Sequence, residues 1–169
     1  REKTGEAVPG AINAGAYGRE REVLDRSPPG EEFSIEREVF PRLVGDGLCA
    51  LSLSGYWMDI GVPGRYLQAT WDILEGRVET AVRPTAPGLF VGVGRAVAES
   101  ARIGPRAVVS SGCTVGAEAT IAGSVLLEGC TIGAGATISD SIIAADTVVE
   151  PGARVEGMTV AAHERVGAE

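Results

Sequence analysis

The chain has 169 residues, the size of one ordinary domain or two small ones, and its 44% hydrophobic and 22% charged residues allow a core and exclude general disorder. A net charge of −8, with no basic cluster interleaved with aromatics, argues against a nucleic-acid surface, and no apolar run approaches the roughly 20 residues that span a bilayer. The unusual figure is 24 glycines against 5% aromatics, which predicts a fold built from small residues at tight turns.

The charged start REKTGEA leads into no apolar segment of a secretory leader, and a first residue Arg1 suggests a piece of a longer chain. GAINAGAY reads as a short strand, and REREVLDRSP as a helix ended by Pro28 and Pro29. Ser34 has the chemistry of an N-cap for IEREVFPRLV, in which Pro41 should kink or end the helix. The cluster of Glu36, Arg37 and Glu38 fits a solvated helix face better than a site. LCALSL and GYWMD follow as predicted strands. Pro63 then suits a first helical turn, and the helix places Tyr66, Ala69, Thr70, Ile73 and Leu74 on one face before ending near Gly76. The proline-bearing VETAVRPTAPGLF divides the chain into residues 1–80, a linker at 81–88, and residues 89–169.

From residue 89 onward aliphatic residues recur by count. Val91, Val97, Ile103, Val109, Val115 and Ile121 are six apart; Leu126, Ile132, Ile138, Ile143, Val149, Val155, Val160 and Val166 continue with every third step shortened to five. Three steps therefore make one turn of a triangular prism whose coils stack at about 4.8 Å, the spacing of paired strands. Four residues after each aliphatic, counting forward, comes a second register that includes Ala107, Cys113, Ala119, Val125, Cys130, Ala136, Ile142 and Thr147, expected at the crowded corners. The three cysteines lack metal-ligand spacing and are odd in number, so Cys113 and Cys130 are expected as stacked, reduced core residues of a protein in a reducing cytoplasm. The single His163, in the last turn, reads as part of a polar cap.

The hexads resemble the left-handed parallel β-helix of hexapeptide-repeat transferases, and the left hand is what that resemblance implies. Such a prism serves either as an acyltransferase or as an appendage that assembles or regulates another domain. The first half makes the choice. GYWMDIGVPGRYLQATWDIL resembles the tryptophan-x-aspartate signature of the nucleotide-sugar pyrophosphorylases, and INAGAY and FSIEREVFP resemble two further segments of that family, in its order. With the β-helix behind them, they are most similar to the bacterial mannose-1-phosphate guanylyltransferases.

The resemblance implies an α/β fragment, the C-terminal part of a nucleotidyltransferase catalytic domain, followed by an all-β left-handed parallel β-helix. It implies that Asp59 holds a catalytic Mg2+, that Glu2 and Lys3 bind sugar hydroxyls and sugar phosphate, and that Asn13, Ala14 and Gly15 line the sugar pocket. Thr4 stands where the family has proline, and Val62 where it has threonine. The implied partners are a nucleoside triphosphate, GTP first, and a sugar-1-phosphate, with homo-oligomers formed through the β-helix. No residue here is assigned as acid, base or nucleophile. The nucleotide-binding half with its Gly-rich loop lies outside these residues, so the chain alone is expected to be inactive. The alternatives are a non-catalytic assembly or regulatory subunit and, third, a hexapeptide-repeat acyltransferase.

Overall fold

The computed structural model describes residues 11–26, 30 and 32–168, and the chain divides into two compact units, Arg1–Trp57 and Met58–Glu169. Glu2 and Lys3 lie outside the described residues.

In the first unit, the described part of the segment read as a helix forms a 3-10 turn, Arg21–Arg26. Ser34 does cap: its hydroxyl accepts the Arg37 N–H at 3.3 Å, and Glu38 Oε1 accepts the Ser34 N–H at 2.9 Å. A π-turn, Ile35–Val39, leads directly into α1, Phe40–Leu43, so Pro41 sits in a first turn, where its missing N–H costs nothing, and does not break the helix. Residues 11–17, 48–53 and 55–59 form no strand. Leu51 and Leu53 are 84% and 83% exposed, and their alternation has no pairing strand among the described residues to make a ladder with.

The second unit begins with α2, Pro63–Leu74, and continues into three parallel sheets. The first holds β1 (Leu89–Val91), β4 (Ala107–Val109), β7 (Ser124–Leu126), β10 (Ile142–Ile143) and β13 (Thr159–Val160). The second holds β2 (Ala96–Val97), β5 (Thr114–Val115), β8 (Thr131–Ile132), β11 (Val148–Val149) and β14 (Arg165–Val166). The third holds β3 (Arg102–Ile103), β6 (Thr120–Ala122), β9 (Thr137–Ser139) and β12 (Arg154–Glu156). Each strand pairs with the strand three later, which is the signature of a three-sided solenoid. Val115 stands beside Ile132, and Ile121 beside Ile138, so the counted aliphatics stack into columns that are buried from Val109 to Val160 and partly covered at the ends, at Val91, Val97, Ile103 and Val166.

Corner chemistry completes the prism. One corner carries Gly94, Gly112, Gly129, Asp146 and His163, all with φ between 56° and 73°, a conformation glycine adopts without penalty. Close approach demands glycine elsewhere: a Cβ on Gly133 would lie 2.3 Å from the Pro151 nitrogen. Cys113 and Cys130 are fully buried and free, and donate to the carbonyls of Leu127 (3.1 Å) and Ala144 (3.2 Å). Thr147 does the same to Ala161 at 2.9 Å, so these three side chains satisfy equivalent carbonyls on successive coils. The hydrogen bond with Cys113, and then burial, hold the Cys130 thiol well above its ordinary range.

At the shortened steps the forward count of four slips by one. Ser124 and Ser141, not Val125 and Ile142, occupy the inner corner. The missing residue tightens that corner, and the serines mend its hydrogen bonding: Ser124 Oγ donates to Ala122 O at 2.7 Å and accepts the Ser141 N–H at 3.0 Å, and Ser141 repeats the pattern with Ser139 and Met158. Val125 consequently points outward, in a column with Phe90 and Val108, and α2 covers it with Trp71 and Leu74. The helix that the sequence groups with residues 1–80 is thus packed on the flank of the solenoid.

Candidate functional site

Two groups of the sequence-derived residues are placed, one in each unit. In the first unit Gly15, at φ 73°, lets the chain turn so that its N–H donates to Asn13 Oδ1 at 2.9 Å. With its oxygen engaged, Asn13 directs its amide nitrogen at Tyr17 Oη (2.5 Å) and at Glu36 Oε1 (2.9 Å). The Tyr17 hydroxyl donates to the same Glu36 oxygen, and the Tyr17 ring meets Phe40 edge-on at 4.8 Å. Glu36 is presented by the capped turn that starts at Ser34, and its hydrogen bond is the first cause that raises the Tyr17 phenol above its ordinary range.

Asn13, Tyr17 and Glu36 are all solvent-accessible. They form a hydrogen-bonded array of amide, phenol and carboxylate groups on the surface. Residue by residue, Glu36 reads from the sequence as a solvated helix face, and Tyr17 carries no signal of its own; the joining of Glu36 to Tyr17 across 19 positions and to Asn13 across 23 is a tertiary fact. The available clue was the FSIEREVFP segment. Ala14 lies exposed between Asn13 and Gly15.

In the second unit Asp59 is exposed, with about half of its side-chain surface (49%) accessible. Its Oδ1 accepts the Gly61 N–H at 3.0 Å, closing the turn into α2, and Arg65 Nη1 lies 3.4 Å from Oδ2. Val62 opens the helix by accepting the Arg65 and Tyr66 N–H groups, each at 3.0 Å. Among the described residues no group of three or more His, Cys, Asp or Glu could enclose a metal ion. One accessible carboxylate does fit a Mg2+ shared with ligand phosphates, because that ion characteristically keeps waters and takes one or two carboxylates. His163 is exposed, 3.8 Å from Asp146, at a corner of the solenoid.

Residues 86–167 match the family model described as the GMPPB C-terminal domain. That span coincides with the solenoid. Among curated proteins, the mannose-1-phosphate guanylyltransferase of Mycobacterium tuberculosis is 36% identical over 131 residues, covering 75% of this chain and 36% of that protein. The mannose-1-phosphate guanyltransferase of Schizosaccharomyces pombe is 36% identical over 113 residues, 66% of this chain and 30% of that protein. A UTP–glucose-1-phosphate uridylyltransferase of Synechocystis is 34% identical over 93 residues, 52% of this chain and 24% of that protein. The chain spans about a third of the length of the guanylyltransferases it matches. Among solved structures, a perosamine N-acetyltransferase of Caulobacter crescentus shares 18% identity at a TM-score of 0.24, covering 76% of this chain and 68% of that one.

Proposed function

We propose that this chain is the rear part of a sugar-1-phosphate nucleotidyltransferase that makes a nucleotide sugar and pyrophosphate, with GTP and mannose-1-phosphate as the first substrates to try. The observation that carries this reading is the 36% identity over 131 residues, a match longer than the solenoid span 86–167 and therefore running into the first half. In the proposed reaction a phosphate oxygen of the sugar-1-phosphate attacks the α-phosphorus of the triphosphate. The bond to the bridging oxygen of the β-phosphate breaks, and pyrophosphate leaves with that electron pair.

In this reading residues 1–80 complete the catalytic domain, 81–88 link it to the solenoid at 89–169, and the solenoid is the surface through which copies assemble. Asn13 to Gly15 would line the sugar pocket, with the Asn13 amide, preset by Gly15, and the Glu36 carboxylate addressing sugar hydroxyls. Glu2 and Lys3 would add a carboxylate for hydroxyls and a point charge for the sugar phosphate. Asp59 would hold Mg2+, which when bound supplies charge neutralisation for the phosphates. Asp59 has to exchange Arg65 for the ion, a small cost because that pair is long and half exposed. Among the described residues no helix is long and apolar enough to cross a membrane, and the buried free thiols Cys113 and Cys130 suit a reducing cytoplasm.

The test is pyrophosphate release by the protein expressed from its complete reading frame, given GTP, UTP or dTTP with mannose- or glucose-1-phosphate. Release is expected, fastest with GTP and mannose-1-phosphate. No release with any pair contradicts the nucleotidyltransferase reading, and preference for UTP and glucose-1-phosphate redirects its specificity.

A further inference from the structure

We infer that Arg106 is a positioning residue that latches α2 to the solenoid and so fixes the turn that presents Asp59. The inference rests on the proposed role of Asp59 for its functional meaning, but the latch itself is a matter of geometry.

Arg106 occupies a corner column that also holds Gly88, Gly123, Asp140 and Gly157, all in the left-handed region. Glycine is at ease there, and Asp tolerates it through its short side chain, whereas Arg106 at φ 53° has no such local reason. What the arginine gains is reach: its Nε lies 2.8 Å from Glu75 Oε1, just past the last residue of α2. The other Glu75 oxygen is 2.6 Å from Arg77 Nη2, and Arg77 Nη1 is 2.6 Å from Asp72. Asp72 is buried and also accepts from Gln68 at 2.8 Å. A lone exposed pair would contribute little, but this is a connected network with one buried member, tying two turns of the helix to a solenoid corner.

From that anchor the helix runs 12 residues, about 18 Å, to its start at Pro63. Trp71 and Leu74 pack on Val125, which sets the helix on its sheet; the charge network sets its position along and around its axis. At the far end the Asp59–Gly61 bond closes the turn that enters the helix at Pro63. Asp59 therefore rides with the solenoid, and a shift of the helix end carries to the carboxylate.

Arg106→Gly cuts the latch while placing at the corner the residue type its column favours, so the solenoid should melt within about 2 °C of wild type. Amide exchange of the 169-residue chain should nevertheless speed up roughly tenfold at Glu75, Gly76 and Arg77, and several-fold at Gly61. Arg106→Lys, which keeps the charge, should stay near wild type, and 1 M salt should reproduce part of the glycine effect. In the protein from the complete reading frame, Arg106→Gly should raise the Mg2+ concentration for half-maximal pyrophosphate release several-fold, leaving KM for the nucleotide within about twofold. Unchanged exchange at both helix ends overturns the latch. Faster exchange at 75–77 with Gly61 and the Mg2+ requirement unmoved overturns the link to Asp59. A wild-type protein that releases no pyrophosphate overturns the functional reading instead, and the exchange data then still decide the latch.

Discussion

The solenoid and the stretch 48–57 use the same raw material to opposite ends. Both are short runs in which Leu, Val or Ile recurs beside small residues. In the solenoid Ile138 is fully buried between Ile121 and Val155, whereas Leu51 and Leu53 stand in solvent. The difference is the neighbour. A two- or three-residue strand has too few hydrogen bonds and too little apolar area to persist alone, and repetition every 17 or 18 residues brings a matching strand alongside it. Alternation is a request for a partner, and only the repeat answers it within the described residues.

Thiol chemistry should give the widest contrast between the two regions. Cys49 should react in the native chain on the order of a thousandfold or more faster than Cys113 and Cys130, which must await unfolding of their coils. Mass spectrometry after a limited pulse of iodoacetamide reads this directly, and early labelling of Cys113 would mean that its coil opens independently. Next in size, Ile138→Ala should cost about 2–5 kcal/mol in urea unfolding, whereas Leu51→Ala should change stability by less than about 0.5 kcal/mol. Equal effects would erase the distinction between the regions. Gly133→Ala should cost about 1–3 kcal/mol, because the next coil occupies the space, whereas Gly167, in the same register with nothing within 4 Å, should accept alanine nearly freely. Smallest, Ser34→Ala should remove about 1 kcal/mol from the capped turn and be seen as faster exchange at the Arg37 amide, with the solenoid unmoved.

The solenoid was legible because its period survives simple counting: fixing the aliphatic columns needs only the order of residues. Counting failed at the five-residue steps, where one deleted residue moved Ser124 and Ser141 into the corner and turned Val125 and Ile142 outward. That slip hid the outer apolar column of Phe90, Val108 and Val125, and with it the seat of α2. The first half was legible as motifs more than as structure. Asn13 and Glu36 meet through a tertiary contact that no local spacing encodes, and residues 48–59 have strand propensity without a described partner. Asp59 reads as both a turn carboxylate and a metal ligand, and its geometry serves both: one oxygen closes the turn, while the carboxylate remains accessible.

Asp59→Asn separates those two roles most directly. Asparagine keeps an Oδ1 for the Gly61 N–H, so the turn and the melting temperature should hold, while the anionic ligand for Mg2+ is lost. In the protein from its complete reading frame, pyrophosphate release should fall by about a hundredfold or more with melting unchanged. An Asp59→Asn protein that releases pyrophosphate at the wild-type rate would contradict the account.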